Sequence, residues 1–491
     1  MTPAPAAGRP RGDRAARLRW SRPAPPPAGV DFDGLRAEFD VPGDFPPDAL
    51  TEARTAAAAS FAALPDLTGV PLATVDPEGS RDLDQAMHLA RDGSGYVLHY
   101  AIADVAAFVA PAGVLDRAAH ERVETYYLPD RRAPLHPPDL SEGAASLLEG
   151  QPRPAVVWQI ALDERGEARD VDVRRGLVAS RRQWDYPTLQ GVLDAGGNAG
   201  GLSLLGEVGH LREVLARARG AIDLDLPEQI VHLDQDGHWV LGLRRDLPCE
   251  GWNAQISLLT GMAAAGLMLR AGVGILRTLP PAPDSTIAQL RRFALALGIP
   301  WPVTQPPGEL LAGLDRTSAV HVALIDEAAA LLRGAGYTVL AEPIEIADPL
   351  LHHAGVAAPY AHVTAPLRRL VDRYGSEVCL AVASGAPVPE WALRALPALP
   401  REMAGGDRRA RAVDKAVIDA TEAWLLRGRI GATFQAAVVE AAADGRTGEV
   451  AVTDPPVRAR CSGERLSAGQ TLAVRLVEAD VATRSVRFEA V

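Results

Sequence analysis

The spacing of hydrophobic and polar positions changes period several times along the chain, and each change predicts an element. After Pro46 and Pro47, DALTEARTAAAASFA reads as a helix to about Ala62, with proline where the first turn needs no N–H. The run from Gly69 to Val75 is apolar and strand-like. AMHLAR, the turn DGSG and YVLHYAIADVAAFV then alternate as a β-hairpin does, and VVWQIALDERGEARDVDVRRGLVAS reads as a second strand pair. Asn253–Leu269 is apolar all round, which predicts a buried helix. Further helices are predicted over Thr286–Leu297, His321–Arg333, Pro366–Ala383 and most of 391–427. From 430 to 491, five short runs separated by turn residues predict a small OB-type barrel. The fold class that follows is α+β, with no internal repeat and no glycine-rich phosphate loop.

The pattern breaks at TVDPEGSRDLDQAM (74–87), where Asp76, Asp82, Asp84 and Gln85 fall on one short segment. Asp82 and Asp84 alternate around Leu83, so an extended segment turns both carboxylates to one side. Crowded carboxylates drift towards neutrality unless a cation joins them, and oxygen-only ligands suit a hard ion such as Mg²⁺. The segment lacks the rhythm and distal glutamate of a calcium loop. Pro77, Gly79 and Ser80 are turn formers, so a solvated acidic turn fits the same spacing, and the segment alone leaves both readings open.

Composition narrows the classes. Hydrophobic content of 47% and charged content of 23% over 491 residues are those of a globular protein with room for two to four domains. A net charge of −12 argues against a protein that coats nucleic acid with its whole surface, but leaves room for a local basic channel. Cys249, Cys379 and Cys461 are far apart with no CxxC spacing, which argues against zinc or a disulfide framework and suits a reducing cytoplasm. No apolar run is read as membrane-spanning, and no signal-peptide core opens the chain. Residues 1–30, rich in Ala, Pro and Arg, read as a disordered arm.

The acidic segment, with the blocks after it, resembles the catalytic (RNB) domain of the ribonuclease II family. That family's pattern is Asp, five residues, Asp, one residue, Asp-Asp; here it is Asp76, Asp82, Asp84 and Gln85. The likeness continues through residues 100–150 and 221–237. It is sharpest at PYAHVTAPLRRLVDR (359–373), and ends in AGQTLAVRLVEADVATRSVRFE. The resemblance implies a short N-terminal helical segment over 31–70, a catalytic domain over 71–428 enclosing an RNA channel, and an RNA-binding OB domain over 429–491. It implies a hydrolytic 3′→5′ exoribonuclease that degrades single-stranded RNA to nucleoside 5′-monophosphates, monomeric and away from membranes. Asp76, Asp82, Asp84 and Gln85 would hold one or two Mg²⁺ ions, or Mn²⁺ in their place, with Asp84 and Arg368 carrying catalysis. Arg368 would neutralise charge growing on the phosphate.

On the RNA side the resemblance implies Tyr127, which would pack on the terminal nucleotide, and Tyr186 and Gln255, which would read the ribose. Thr364, Arg369 and the loosely aligned Asp414 join them. Locally, Thr364 is a natural N-cap, and Pro366 suits the first turn of the helix to Ala383, near which Arg368 would sit. An Arg368–Asp372 pair at i, i+4 would instead leave the functional role to Arg369. Three departures stand out. Gln85 replaces the fourth Asp, AQISLLTG puts Gln255 and Gly261 where the family has Glu and Asn, and residues 1–45 cannot form the two cold-shock domains typical of members. A catalytically weak RNA-binding scaffold, or a phosphodiesterase of short oligonucleotides, therefore remains beside the exoribonuclease reading.

Overall fold

Strands whose residues are apolar on both faces need cover on both, and this requirement organises the catalytic region. In the computed structural model, which describes residues 18–20, 29–233, 239–316, 318–340, 351–452 and 454–491, six strands form one sheet. They are β1 (Ala73–Asp76), β2 (Gln85–Asp92), β3 (Gly95–Ala103), β4 (Pro152–Leu162), β5 (Ala168–Ala179) and β6 (Arg182–Asp185). The order is β5-β4-β3-β2-β1-β6, antiparallel except that β1 runs parallel to β6. The predicted hairpin is β2–β3 and the predicted strand pair is β4–β5. The arm expected over residues 1–30 lies almost wholly outside the described residues.

One face of the sheet buries Leu98, Tyr100, Ile102, Trp158 and Ile160 against two helices, α2 (Pro248–Ala271) and α3 (Leu370–Ser384). The other face buries Ala101, Ala103, Ala155 and Val157 against the helix Pro47–Ala57 and α1 (Val114–Arg122). Against the expectation of no membrane-spanning run, α2 is long and apolar enough to cross a membrane by length and composition alone. Its packing in the largest core cluster explains the all-round apolar character. Gly261 of α2 lets Tyr360 approach: a Cβ there would lie 2.1 Å from the Tyr360 ring and 2.6 Å from the Ala361 carbonyl.

The long helix α4 (Leu399–Leu426) leads into β7 (Thr433–Ala441), β8 (Thr447–Val452), β9 (Val457–Ser462), β10 (Thr471–Asp480) and β11 (Ser485–Ala490). These close into a barrel in the order β7-β8-β9-β11-β10. Phe434, Val450, Val474, Leu476 and Phe488 fill it, and its core runs on into Ala423 and Leu426 at the end of α4. The five-strand OB-type expectation holds.

Candidate active site

β1 ends at Asp76 and β2 begins at Gln85, so the acidic segment is the connection between two paired strands. It is not a loose turn. Leu83 N–H donates to Ser146 Oγ (2.9 Å), that hydroxyl donates to the Arg81 carbonyl (2.6 Å), and Leu147 N–H donates to the Leu83 carbonyl (3.0 Å). Gln183 Nε2 holds the Ser80 carbonyl at 2.9 Å. The carboxylates therefore stand on fixed backbone. Asp84 is 5% exposed, and its Oδ1 accepts the Leu367 N–H at 2.8 Å. Burial pushes the Asp84 carboxyl up to about 7, against the pull of Arg368 and the Leu367 N–H. Burial also drives Asp76 well above the carboxylate range, with the Asp84 charge next in weight. Asp82 pairs its Oδ1 with Arg132 Nη1 at 2.6 Å.

The arginine block folds differently from its expected cap. α3 begins at Leu370, and its N-cap is Arg369 in extended conformation, so Thr364 is not the cap and Pro366 is not in the first turn. The cause is Asp372. Its carboxylate takes the Ala365 N–H (2.7 Å) and two bonds from Arg369 (2.9 and 2.8 Å), which holds residues 365–369 as a turn ahead of the helix. Arg369, not Arg368, is thus the partner of Asp372. Arg368 is left with its Nε 3.4 Å from Asp84 Oδ2 and with 42% of its side chain accessible.

A second strand-like segment brings Tyr127 alongside. α1 ends at Arg122, and its C-cap Val123 has a φ of +69°, which is costly for a β-branched residue and turns the chain sharply. Thr125 N–H then donates to the Arg368 carbonyl (3.0 Å), and Leu370 N–H to that of Val123 (2.9 Å). Two residues on, Tyr127 is 51% exposed, yet burial raises its hydroxyl pKa to about 12. A side chain both accessible and desolvated lines a recess, not an outer surface. Arg368, Asp82 and Asp84 act electrostatically on that phenol, so Tyr127, the acids and Arg368 share one recess.

The remaining predicted residues divide. Gln85 faces inward: its Nε2 donates to the Thr364 carbonyl (2.7 Å) and its Oε1 accepts from the Tyr100 hydroxyl (2.6 Å), with Ser257 Oγ at 3.5 Å. Both ends of the amide are employed in tying β2 to the arginine block. Thr364 is buried and takes part through that carbonyl. The Tyr186 hydroxyl accepts from Asn253 Nδ2 at 3.0 Å, and Gln255 is half-buried two residues further along α2. Asp414 is exposed on α4 and, after burial and Asp407, helps push Glu124 up to about 7. A Gln85→Glu variant keeps the side-chain length but sets an acceptor against the Thr364 carbonyl. It is expected to lower the unfolding free energy by about 1–3 kcal/mol, read from urea titrations at pH 7; equal stability would contradict the tie.

Sequence reasoning missed Arg132 and its second partner Glu142, 2.6 Å away. It also missed Glu124, whose backbone forms an isolated β-bridge with Arg369, and the Arg277–Asp407 pair. Arg132 and Glu142 lie inside a block already singled out, but the contact of Arg132 with Asp82 has no local spacing to reveal it.

As they stand, no three His, Cys, Asp or Glu side chains among the described residues close round a metal position. The donor chemistry nevertheless fits a hard cation. The groups are carboxylate oxygens, and burial first, then the charges of Asp84 on Asp76 and of Asp82 and Asp372 on Asp84, raise both carboxyls, a strain that a divalent ion relieves.

Behind the arginine turn, His136 is 3% exposed. Burial pushes its pKa down to about 3, although the Pro366 carbonyl accepts its N–H. The ring is neutral in the fold, whereas the unfolded chain takes up a proton below about pH 6.5. This contribution to stability is complete above the unfolded pKa and is lost as pH falls towards the folded value. His136→Gln keeps a donor without titrating. Its stability relative to wild type is expected to rise by roughly 1 kcal/mol per pH unit between about pH 6 and 4, measured by urea midpoints.

The site thus brings buried carboxylates, an accessible arginine and a tyrosine together in an α+β domain that is followed by an OB-type barrel. Residues 65–378 match the RNB domain and residues 432–491 the RNase II-type exonuclease C-terminal S1 domain. The chain belongs to the RNB-domain exoribonuclease family. It is 27% identical over 397 residues to exoribonuclease 2 of Edwardsiella piscicida, covering 76% of this chain and 59% of that protein. It is 27% identical over 369 residues to ribonuclease R of Thermotoga maritima, covering 70% and 50%. The apo structure of Mycoplasma genitalium RNase R superposes with a TM-score of 0.82 at 18% identity, over 94% of this chain and 77% of that one. The chain spans between half and three-fifths of the length of those two curated relatives.

Proposed function

We propose that the protein is a divalent-metal-dependent 3′→5′ exoribonuclease that hydrolyses single-stranded RNA to nucleoside 5′-monophosphates. The observation that carries the reading is the pairing of buried Asp84 with Arg368, a cation that stays accessible in a recess lined by Tyr127. Asp76 and Asp84 would hold Mg²⁺ or Mn²⁺, with Asp82 at the edge. When bound, such an ion supplies Lewis acidity to a phosphate. Arg368 neutralises charge developing on the phosphate oxygens without exchanging a proton. Asp84 orients that guanidinium, and the Leu367 N–H fixes Asp84. Tyr127 offers a ring face for the terminal base and a hydroxyl for its sugar.

The role of Gln85 in this reading is a tie and not a ligand, so its neutral amide does not argue for an inactive scaffold. The test is incubation of the purified chain with Mg²⁺ and 3′-tailed RNA, beside matching DNA and a dinucleotide. Stepwise release of 5′-monophosphates from RNA supports the reading. Binding of RNA without degradation favours the scaffold, and turnover of the dinucleotide alone favours an oligonucleotide phosphodiesterase.

A further inference from the structure

We infer that Arg212 and Arg219 form a binding site for a phosphate-type oxyanion, at the end of the sheet away from the acidic segment. The inference goes beyond the reading above and stands whether or not that reading holds.

The helix Leu205–Arg219 carries both arginines, seven residues and two turns apart, so they share one face. The helix meets the turn 163–167 between β4 and β5. Contact there is close: a Cβ on Gly166, whose φ is +81°, would lie 3.0 Å from Leu211 Cβ. Arg212 is 2% exposed; its Nη1 donates to the Gly166 carbonyl at 2.8 Å, and its Nε is buried without a partner. Arg219 is half-buried, and its Nε is likewise sealed and unpartnered. It joins no hydrogen bond or ion pair among the described residues. β3 sets the distance to the acidic centre. Tyr96, opposite Leu162, and Ile102, opposite Gln85, are six residues apart, which puts the turn about 20 Å away.

The charge there is not balanced. One carboxylate, Glu167, acts on both guanidiniums, and its Oε2 is 3.8 Å from Arg212 Nη1, beyond hydrogen-bond length. The other acids are employed elsewhere. Glu213 lies 3.6 Å from His210 and 3.8 Å from Arg217, while Asp163 pairs with Arg169 and accepts the Arg165 and Glu167 N–H groups. Glu164 and Arg165, both exposed on the turn, cancel. Burial pulls the Arg212 pKa down to about 10, with Arg219 next in weight, and burial lowers Arg219 as well. A second guanidinium beside the first deepens the cost of burying either. The negative end of the helix macrodipole offsets part of that cost at Arg219. The remainder calls for an anion with acceptor oxygens. A phosphate offers several oxygens to two planar forks, and charge to match them. Glu167 gives way readily, being 48% accessible and in only loose contact with Arg212.

Two sources carry this chemistry, free phosphate and the backbone of bound RNA, and the test separates them. The full chain is unfolded thermally across a sodium phosphate series, with NaCl holding ionic strength constant. The wild-type midpoint is expected to rise saturably by about 2–4 °C. Arg219→Gln should lose that rise, and Glu167→Gln should reach it at roughly three- to tenfold less phosphate. Arg368→Ala should keep it, which separates this site from the acidic recess. If Arg219→Gln fails to fold, Glu167→Gln on the exposed turn keeps the test. For the second source, an oligoribonucleotide of about 20 residues is titrated by fluorescence anisotropy in EDTA over a range of salt. If its backbone fills the site, Arg219→Gln lowers the slope of log affinity against log salt by about 0.7. A phosphate-dependent rise with that slope unchanged assigns the site to free phosphate. No saturable rise in wild type together with an unchanged RNA slope would overturn the site. So would a rise that survives in Arg219→Gln, or one lost in Arg368→Ala.

Discussion

Asp84→Asn is expected to lower RNA degradation by at least ~10³-fold while leaving the protein as stable as wild type or more so. The two halves of this result have one cause. Asp84 is almost wholly buried beside a second raised carboxyl, and its own pKa of about 7 records how unfavourable its charge is there. An amide of the same shape can still accept the Leu367 N–H now held at 2.8 Å. It removes the charge that orients Arg368 and would attract a cation, and it relieves the repulsion on Asp76. A gain of roughly 1–3 kcal/mol in unfolding free energy at pH 8 is the expected size of that relief. Activity within tenfold of wild type would remove Asp84 from the site; lost activity with lost stability would make it a structural residue.

How much of this was legible in the sequence depends on range. The hairpin, the second strand pair, the buried helix and the barrel all follow from periodicity, because each is decided within a few residues of chain. The acidic cluster was equally visible, being fourteen consecutive residues. The fate of each side chain was not. Gln85 reads as a weakened ligand from its position beside Asp84, but successive residues entering a strand point to opposite sides, and β2 starts at Gln85. Its partners Tyr100, Ser257 and Thr364 come from β3, α2 and the arginine block, and nothing local announces them. Thr364 looked like a cap because Thr and Pro precede a helical pattern; the carboxylate of Asp372, already inside the helix, claims the Ala365 N–H and delays the start to Leu370. Arg132 failed to register for a similar reason, since its two partners lie fifty residues before it and ten after.

Arg368→Ala is expected to reduce kcat for RNA degradation by about 10²–10³-fold, with KM changed far less and the unfolding midpoint nearly unmoved. The neighbouring residue provides the control, since the two arginines differ in employment. Arg369 spends its guanidinium on Asp372 through bonds of 2.9 and 2.8 Å, and Asp372 is fully buried. Arg369→Ala strands that carboxylate and should cost about 3–5 kcal/mol of stability, with activity falling as the arginine turn loosens. Among the described residues Arg368 has one ion pair, the 3.4 Å approach to Asp84, and keeps 42% of its side chain accessible, so its removal costs the fold little. What it removes is positive charge where a phosphate would gain negative charge. Arg368→Lys restores the charge but not the planar fork, and should recover only part of the lost rate. A stability loss for Arg368→Ala as large as that for Arg369→Ala would assign Arg368 to the scaffold, and an unchanged kcat would remove it from the chemistry.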